Sequence, residues 1–112
     1  MQLKQGVIIE GIHPRMWEHM LLADVFWRRH IGYELVATSI VDGKHTARRS
    51  DHYSGTAFDG RTWTGIESGK QMSPETRGLL LNAYKDFMGD DFYIVDEGTH
   101  WHTSWRPMYH KP

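Results

Sequence analysis

The sequence predicts an α+β fold, a small and mostly antiparallel sheet with two main helices. Two segments carry apolar side chains at helical spacing, at residues 14–30 and 74–88. Four short runs between and after them are rich in β-branched and aromatic residues, too short for helices of ordinary length. The 112 residues contain no repeat, linker or low-complexity stretch, so residues 1–112 read as one domain.

Each element has a local reason. In PRMWEHMLLADVFWRRH, Met16, Trp17, Met20, Leu21, Val25 and Phe26 recur near a period of 3.6, with Pro14 suited to the first turn and Gly32 to the stop. Arg28, Arg29 and His30 read as a solvated helix end that complements the macrodipole. Glu34 to Val41 is dense in β-branched residues and reads as a buried strand closed by an Asp42-Gly43 turn. Lys44 to Gly55 has turn formers and no period, which marks a loop of functional composition, and Ala57 to Asp59 follows as a short strand. Ser73 then offers a hydroxyl N-cap, Pro74 the first helical position and Glu75 an acid in the first turn. That helix runs to about Met88, with Leu79, Leu80, Ala83, Tyr84 and Phe87 as its apolar stripe and Gly89 as its end. Phe92 to Val95 and Thr99 to Trp105 read as strands, the tail from Met108 to Pro112 as frayed. Trp63, Trp101 and Trp105 read first as core, with stacking along a cleft as the alternative.

Charge and composition exclude several functions. Thirteen basic and fourteen acidic side chains give a net charge of -1, so no long-range field steers the chain onto nucleic acid or anionic lipid. Zero cysteines exclude disulfides, thiolate metal sites and a cysteine nucleophile. No apolar run reaches the ~20 residues of a membrane span, and the N-terminus has no signal-peptide core, so the chain is expected to be cytoplasmic as synthesised and not inserted in a membrane. The eight histidines are the unusual number, and they are spread along the chain rather than clustered as a tag would be.

Two constellations gather them with carboxylates. In Ser50-Asp51-His52-Tyr53-Ser54-Gly55-Thr56-Ala57-Phe58-Asp59, a loop returning into a strand can bring His52 and Asp59 to one point, with Gly55 allowing the fold-back and Ala57 close packing. In Asp96-Glu97-Gly98-Thr99-His100-Trp101-His102, His100 and His102 share one face of an extended segment and Glu97 approaches from the preceding turn. Such imidazoles repel when protonated, which favours a cation or a reaction that uses them. Together the segments supply two imidazoles and a carboxylate, with a carboxylate and an imidazole to spare, the donor set of a catalytic zinc site with one open position. Iron oxygenases also use two His and one carboxylate, but with a closer first pair than His52 and Asp59.

The string SDHYSGTAFD matches every fixed place of S-x-H-x-x-G-x-A-x-D, and with EGTHWH it resembles the zinc D-alanyl-D-alanine peptidases, a family of D,D-carboxypeptidases, D,D-dipeptidases and bacteriophage endolysin peptidases. HWHTSW is similar to the H-x-H stretch of the wider group that includes hedgehog domains and lysostaphin-type peptidases. The resemblance spans residues from about Pro14 to Pro107. It implies Zn2+ as cofactor, His52, Asp59 and His102 as ligands, His100 beside the metal as oxyanion stabiliser and Glu97 as general base. The E-x-x-H-W spacing of many members would instead make His100 the ligand, and the H-x-H assignment is the one preferred here. It also implies an arginine for the substrate carboxylate, with Arg48, Arg49 and Arg61 as candidates.

The expected function is therefore zinc-dependent hydrolysis of a D-amino-acid-containing bond in a peptidoglycan stem peptide, by a monomer of phage or prophage type that reaches the cell wall on lysis or entry. One rival is a non-catalytic, hedgehog-like zinc module, for instance within a phage particle. A metal-dependent nuclease is the other, disfavoured by the neutral charge.

Overall fold

A computed structural model of the chain describes residues 1–41 and 55–107. The Asp42-Gly43 turn, the loop up to residue 54 with Arg48, Arg49 and His52, and the tail from Met108 lie outside the described residues. The elements are β1 (Gln2–Leu3), α1 (Met16–Phe26), a π-helical turn (Trp27–Ile31), β2 (Val36–Ser39), β3 (Ala57–Arg61), α2 (Pro74–Met88), β4 (Phe92–Asp96) and β5 (His100–Trp105). The fold is α+β, as expected. Its five strands lie in the order β1-β2-β3-β5-β4, antiparallel except where β1 runs parallel to β2.

Both helices cover the same face of this sheet. Trp27 and Tyr84 meet Trp101 of β5 at ring-centroid distances of 5.5 and 5.3 Å, and Trp27 and Tyr84 touch each other at 5.1 Å. Such edge and offset contacts add about 0.5–1.5 kcal/mol per pair beyond the area buried. Gly60 of β3 leaves room for Trp27: a Cβ there would come within 2.8 Å of the indole. The Trp27 indole N–H then donates to the Arg61 carbonyl at 2.9 Å, so the helix layer is pinned to the central strand by packing and by a hydrogen bond.

The first helix differs from its sequence expectation in two respects. It starts at Met16 rather than at Pro14, and its last turn widens into a π turn before Gly32, at φ +102°, ends it. Its buried face is Met16, Met20, Ala23, Asp24 and Phe26, continued by Trp27, which leaves Leu21 and Val25 exposed. The inward place of Asp24 explains the rotation. Its carboxylate accepts the Leu35 N–H at 2.8 Å and the Arg28 guanidinium at 2.9 Å, tying the helix to the entry of β2. Burial alone would raise the Asp24 carboxyl, but these hydrogen bonds hold it below its ordinary value. Arg28 is thus paired with Asp24, and also with Glu34, rather than merely solvated.

In α2 the Ser73 hydroxyl accepts the Thr76 N–H at 3.2 Å and Pro74 opens the helix, as its sequence predicts. The inner face is Arg77, Tyr84 and Met88, while Leu79 is 70% exposed and Ala83 also faces outward. The predicted second strand, Glu34 to Val41, is pared to Val36–Ser39. Among the described residues no helix is long and apolar enough to cross a membrane.

Candidate metal centre

The helix-free face of the sheet carries the histidines and Asp59. β3 is the middle strand, and its register sets Asp59 across from His102, Arg61 across from His100 and Gly60 across from Trp101. Because side chains alternate, Asp59, Arg61, His100 and His102 stand on one face and Gly60 and Trp101 on the other. Period-2 geometry alone therefore gathers these groups once the register is set.

Asp59 is buried, 6% exposed, and its two oxygens serve two imidazoles. Oδ1 lies 3.0 Å from His102 Nδ1, and Oδ2 lies 3.3 Å from His100 Nε2. Glu97, in the β4–β5 turn, brings Oε1 to 3.5 Å from His100 Nε2 and 3.7 Å from His102 Nδ1. Asp59, Glu97 and His100 each offer a donor atom within 4.8 Å of the others, a spacing that could hold a metal ion.

Each histidine is anchored on a hydroxyl through one ring nitrogen and faces the two carboxylates with the other. His100 Nδ1 is engaged by the Thr99 hydroxyl at 2.8 Å, which orients the ring and directs Nε2 toward Asp59 and Glu97. His102 is hydrogen-bonded through both nitrogens, Nδ1 to Asp59 and Nε2 to Ser104 Oγ at 2.7 Å. That is the usual posture of a metal ligand for both rings, and it is His100 that forms a mutually close set with Asp59 and Glu97. The assignment preferred from the sequence, His102 on the metal and His100 beside it, thus meets a geometry in which His100 joins the mutually close donors and His102 is braced alongside.

The donor chemistry fits zinc. Asp59 and the His100 imidazole are ligands of the sort Zn2+ accepts, Asp59 is withdrawn from water, and Glu97 is accessible beside them.

A groove of about 390 Å³ opens beside this cluster, with Asp59 and His100 in its wall next to Lys4, Arg61, Trp63 and Gln71. The Arg61 guanidinium stacks on the Trp63 ring at 3.8 Å and donates through Nη1 to the Ile66 carbonyl at 3.2 Å. Tyr33 fixes the backbone beneath, its hydroxyl 2.8 Å from the Trp63 carbonyl; burial pushes that phenol up to about 12. Of the three candidate arginines, Arg61 is the one among the described residues, and it borders the groove. Lys4 and Gln71 carry no sequence signal: a two-residue β1 has no periodicity, and Gln71 arrives through an isolated bridge with Trp63.

Comparison of the chain with family models, with curated proteins and with solved structures gave no match.

Proposed function

We propose that the chain is a zinc-dependent peptidase that hydrolyses a D-amino-acid-containing bond of a peptidoglycan stem peptide, with Asp59 and His100 as metal ligands and Glu97 as general base. The observation that carries it is the convergence of Asp59, Glu97 and His100 donors within 4.8 Å at the middle of the sheet, beside an open groove. The motif resemblance of residues 50–59 adds His52 as a further ligand, and it supplies the substrate class.

When bound, zinc would lower the pKa of a coordinated water to ~7 and polarise the scissile carbonyl. The chain's own groups do the rest. Glu97 Oε1 removes the proton from the attacking water and delivers it to the leaving nitrogen, a task suited to a carboxylate that is half-exposed and thus open to substrate. His102, anchored on Ser104 through Nε2, uses Nδ1 to hold in place the Asp59 carboxylate that would bind the metal. Arg61, held flat on Trp63, binds a substrate carboxylate through its remaining N–H groups.

Metal analysis of the purified chain with its His100→Ala and His102→Ala variants, alongside hydrolysis of D-Ala-D-Ala-terminated peptides and whole peptidoglycan, tests the proposal. The expected result is about one zinc per chain, lost in His100→Ala and kept in His102→Ala with reduced turnover. The reverse pattern restores the H-x-H assignment. Zinc without hydrolysis of either substrate makes the chain a non-catalytic module, and no zinc uptake overturns the metal centre altogether.

A further inference from the structure

Arg77 is a charged side chain buried at 6% exposure on the helix face, opposite the candidate centre. Its side chain reaches Asp96, which opens the metal-capable turn, and Thr62 and Gln71, which follow β3. Nε and Nη2 clamp the Asp96 carboxylate at 3.1 and 2.5 Å, a two-point pair at the last residue of β4. Nη1 meets Thr62 Oγ1 at 2.5 Å and Gln71 Oε1 at 2.7 Å. The Gln71 amide continues the chain of contacts by donating to the Thr99 carbonyl at 3.0 Å. Asp96 Oδ1 also accepts the Gly98 N–H at 2.9 Å.

The turn that carries Glu97 and begins His100 is therefore held at both ends by one guanidinium. Asp96 is gripped directly, and Thr99 is gripped through Gln71. Thr99 in turn sets the His100 ring through its hydroxyl at 2.8 Å. The three-residue turn, with Gly98 at φ +88°, is closed by the Glu97 N–H donating to the His100 carbonyl at 3.0 Å, and the anchors from Arg77 and Gln71 fix how that closed turn, with its Glu97 and His100 side chains, sits on the sheet.

We infer that Arg77 is a positioning residue for the metal centre: through Asp96 on one side and Gln71 and Thr99 on the other, it fixes how the turn, with its Glu97 and His100 side chains, sits on the sheet. This rests on the metal-centre reading. A guanidinium is suited to the role because its planar fork spans two anchors at once, whereas an ammonium is a single point of attachment.

The test uses the full chain, wild type beside Gln71→Met and Arg77→Lys, with zinc affinity from chelator competition and the d–d absorption of the cobalt(II) form as readouts. Gln71→Met cuts the link to Thr99 while leaving the Arg77–Asp96 pair, and Arg77→Lys keeps the charge but loses the fork. Both are expected to weaken zinc about tenfold or more, as loss of groups that orient ligands does, and to shift the cobalt spectrum. A purely structural role would lower the melting temperature and leave both readouts of the folded chain unchanged. Either folded variant matching wild type in both readouts overturns the inference; should Arg77→Lys not fold, Gln71→Met decides. Wild type failing to take up zinc or cobalt overturns the metal-centre reading itself, a distinguishable outcome.

Discussion

Strand β5 has two faces with opposite characters. Trp101 and Thr103 point to the helices and are completely buried, the indole against Trp27 and Tyr84, the hydroxyl 2.7 Å from the Tyr84 phenol. His100 and His102 point the other way, partly exposed, and meet carboxylates. One face obtains its contacts from apolar area and shape. The other brings together titratable groups that water would solvate well, so its arrangement costs stability unless something is bound or transformed there. The candidate metal centre is thus mounted on one side of a strand whose place is secured from the other side.

If that division of labour is right, the two faces can be damaged separately. Trp101→Ala should have the largest effect, a loss of about 3–5 kcal/mol of folding free energy measured by denaturant titration. Among the described residues its indole N–H has no hydrogen-bond partner, so the contribution comes from packing. A loss below about 1 kcal/mol would mean that the core is not organised around this ring.

On the opposite face, Glu97→Gln should leave the unfolding midpoint and the zinc content unchanged while turnover of a D-Ala-D-Ala-terminated peptide falls on the order of 10²-fold or more. Retained hydrolysis would move the role of base to another group.

Gly60→Ala sharpens the contrast within a single strand, because Asp59 faces the site and Gly60 the core. The added methyl would meet Trp27 at 2.8 Å and Leu35 at 2.9 Å, so a destabilisation of about 1–3 kcal/mol is expected by calorimetry. An unaltered melting temperature would show that the Trp27 ring has freedom the packing does not suggest.

The smallest effect concerns acid. Hydrogen bonding by Arg77 holds the Asp96 carboxyl below its ordinary value of 3.8. A lowered folded-state value means that the pair stabilises the fold above 3.8 and loses that contribution as pH falls through the folded-state value. Stability measured at successive pH values should drop in this range, and Asp96→Asn should flatten the slope. His19 adds a separate slope at higher pH: burial, then the charge of Arg15, depresses its imidazole from 6.5, so stability falls as pH drops below that value. An identical acid profile in Asp96→Asn would remove the pair from the account.

Residue pattern made much of this legible. Ser73, Pro74 and Gly89 delimit α2 because cap and terminus chemistry is local, and alternation in HWHTSW places both histidines on one face. The stripes of the helices were less readable. Leu21, Val25 and Leu79 satisfy a helical period yet lie outside, since a buried Asp24, a π turn and a buried Arg77 rotate each helix toward polar anchors that hydrophobicity does not reveal. β1 escapes any pattern because two residues cannot show one.

For the site the boundary is similar. Composition alone excludes thiolate chemistry, and the spacing of Asp59, Glu97, His100 and His102 nominates the donors. How each imidazole is oriented depends on contacts between strands and turns: Thr99 on one ring nitrogen of His100, Ser104 on one of His102, and Asp59 between the two rings. Such contacts depend on strand register and on angles of approach, which residues distant in the chain acquire only when they pack. The sequence by itself determined the element types and the donor inventory, because caps, period and residue chemistry act within a few positions. Only the tertiary structure decided the inward faces, the Arg77 anchors on the Glu97 turn and the orientation of the two imidazoles, because each is a balance among groups from several elements that meet only when those elements pack.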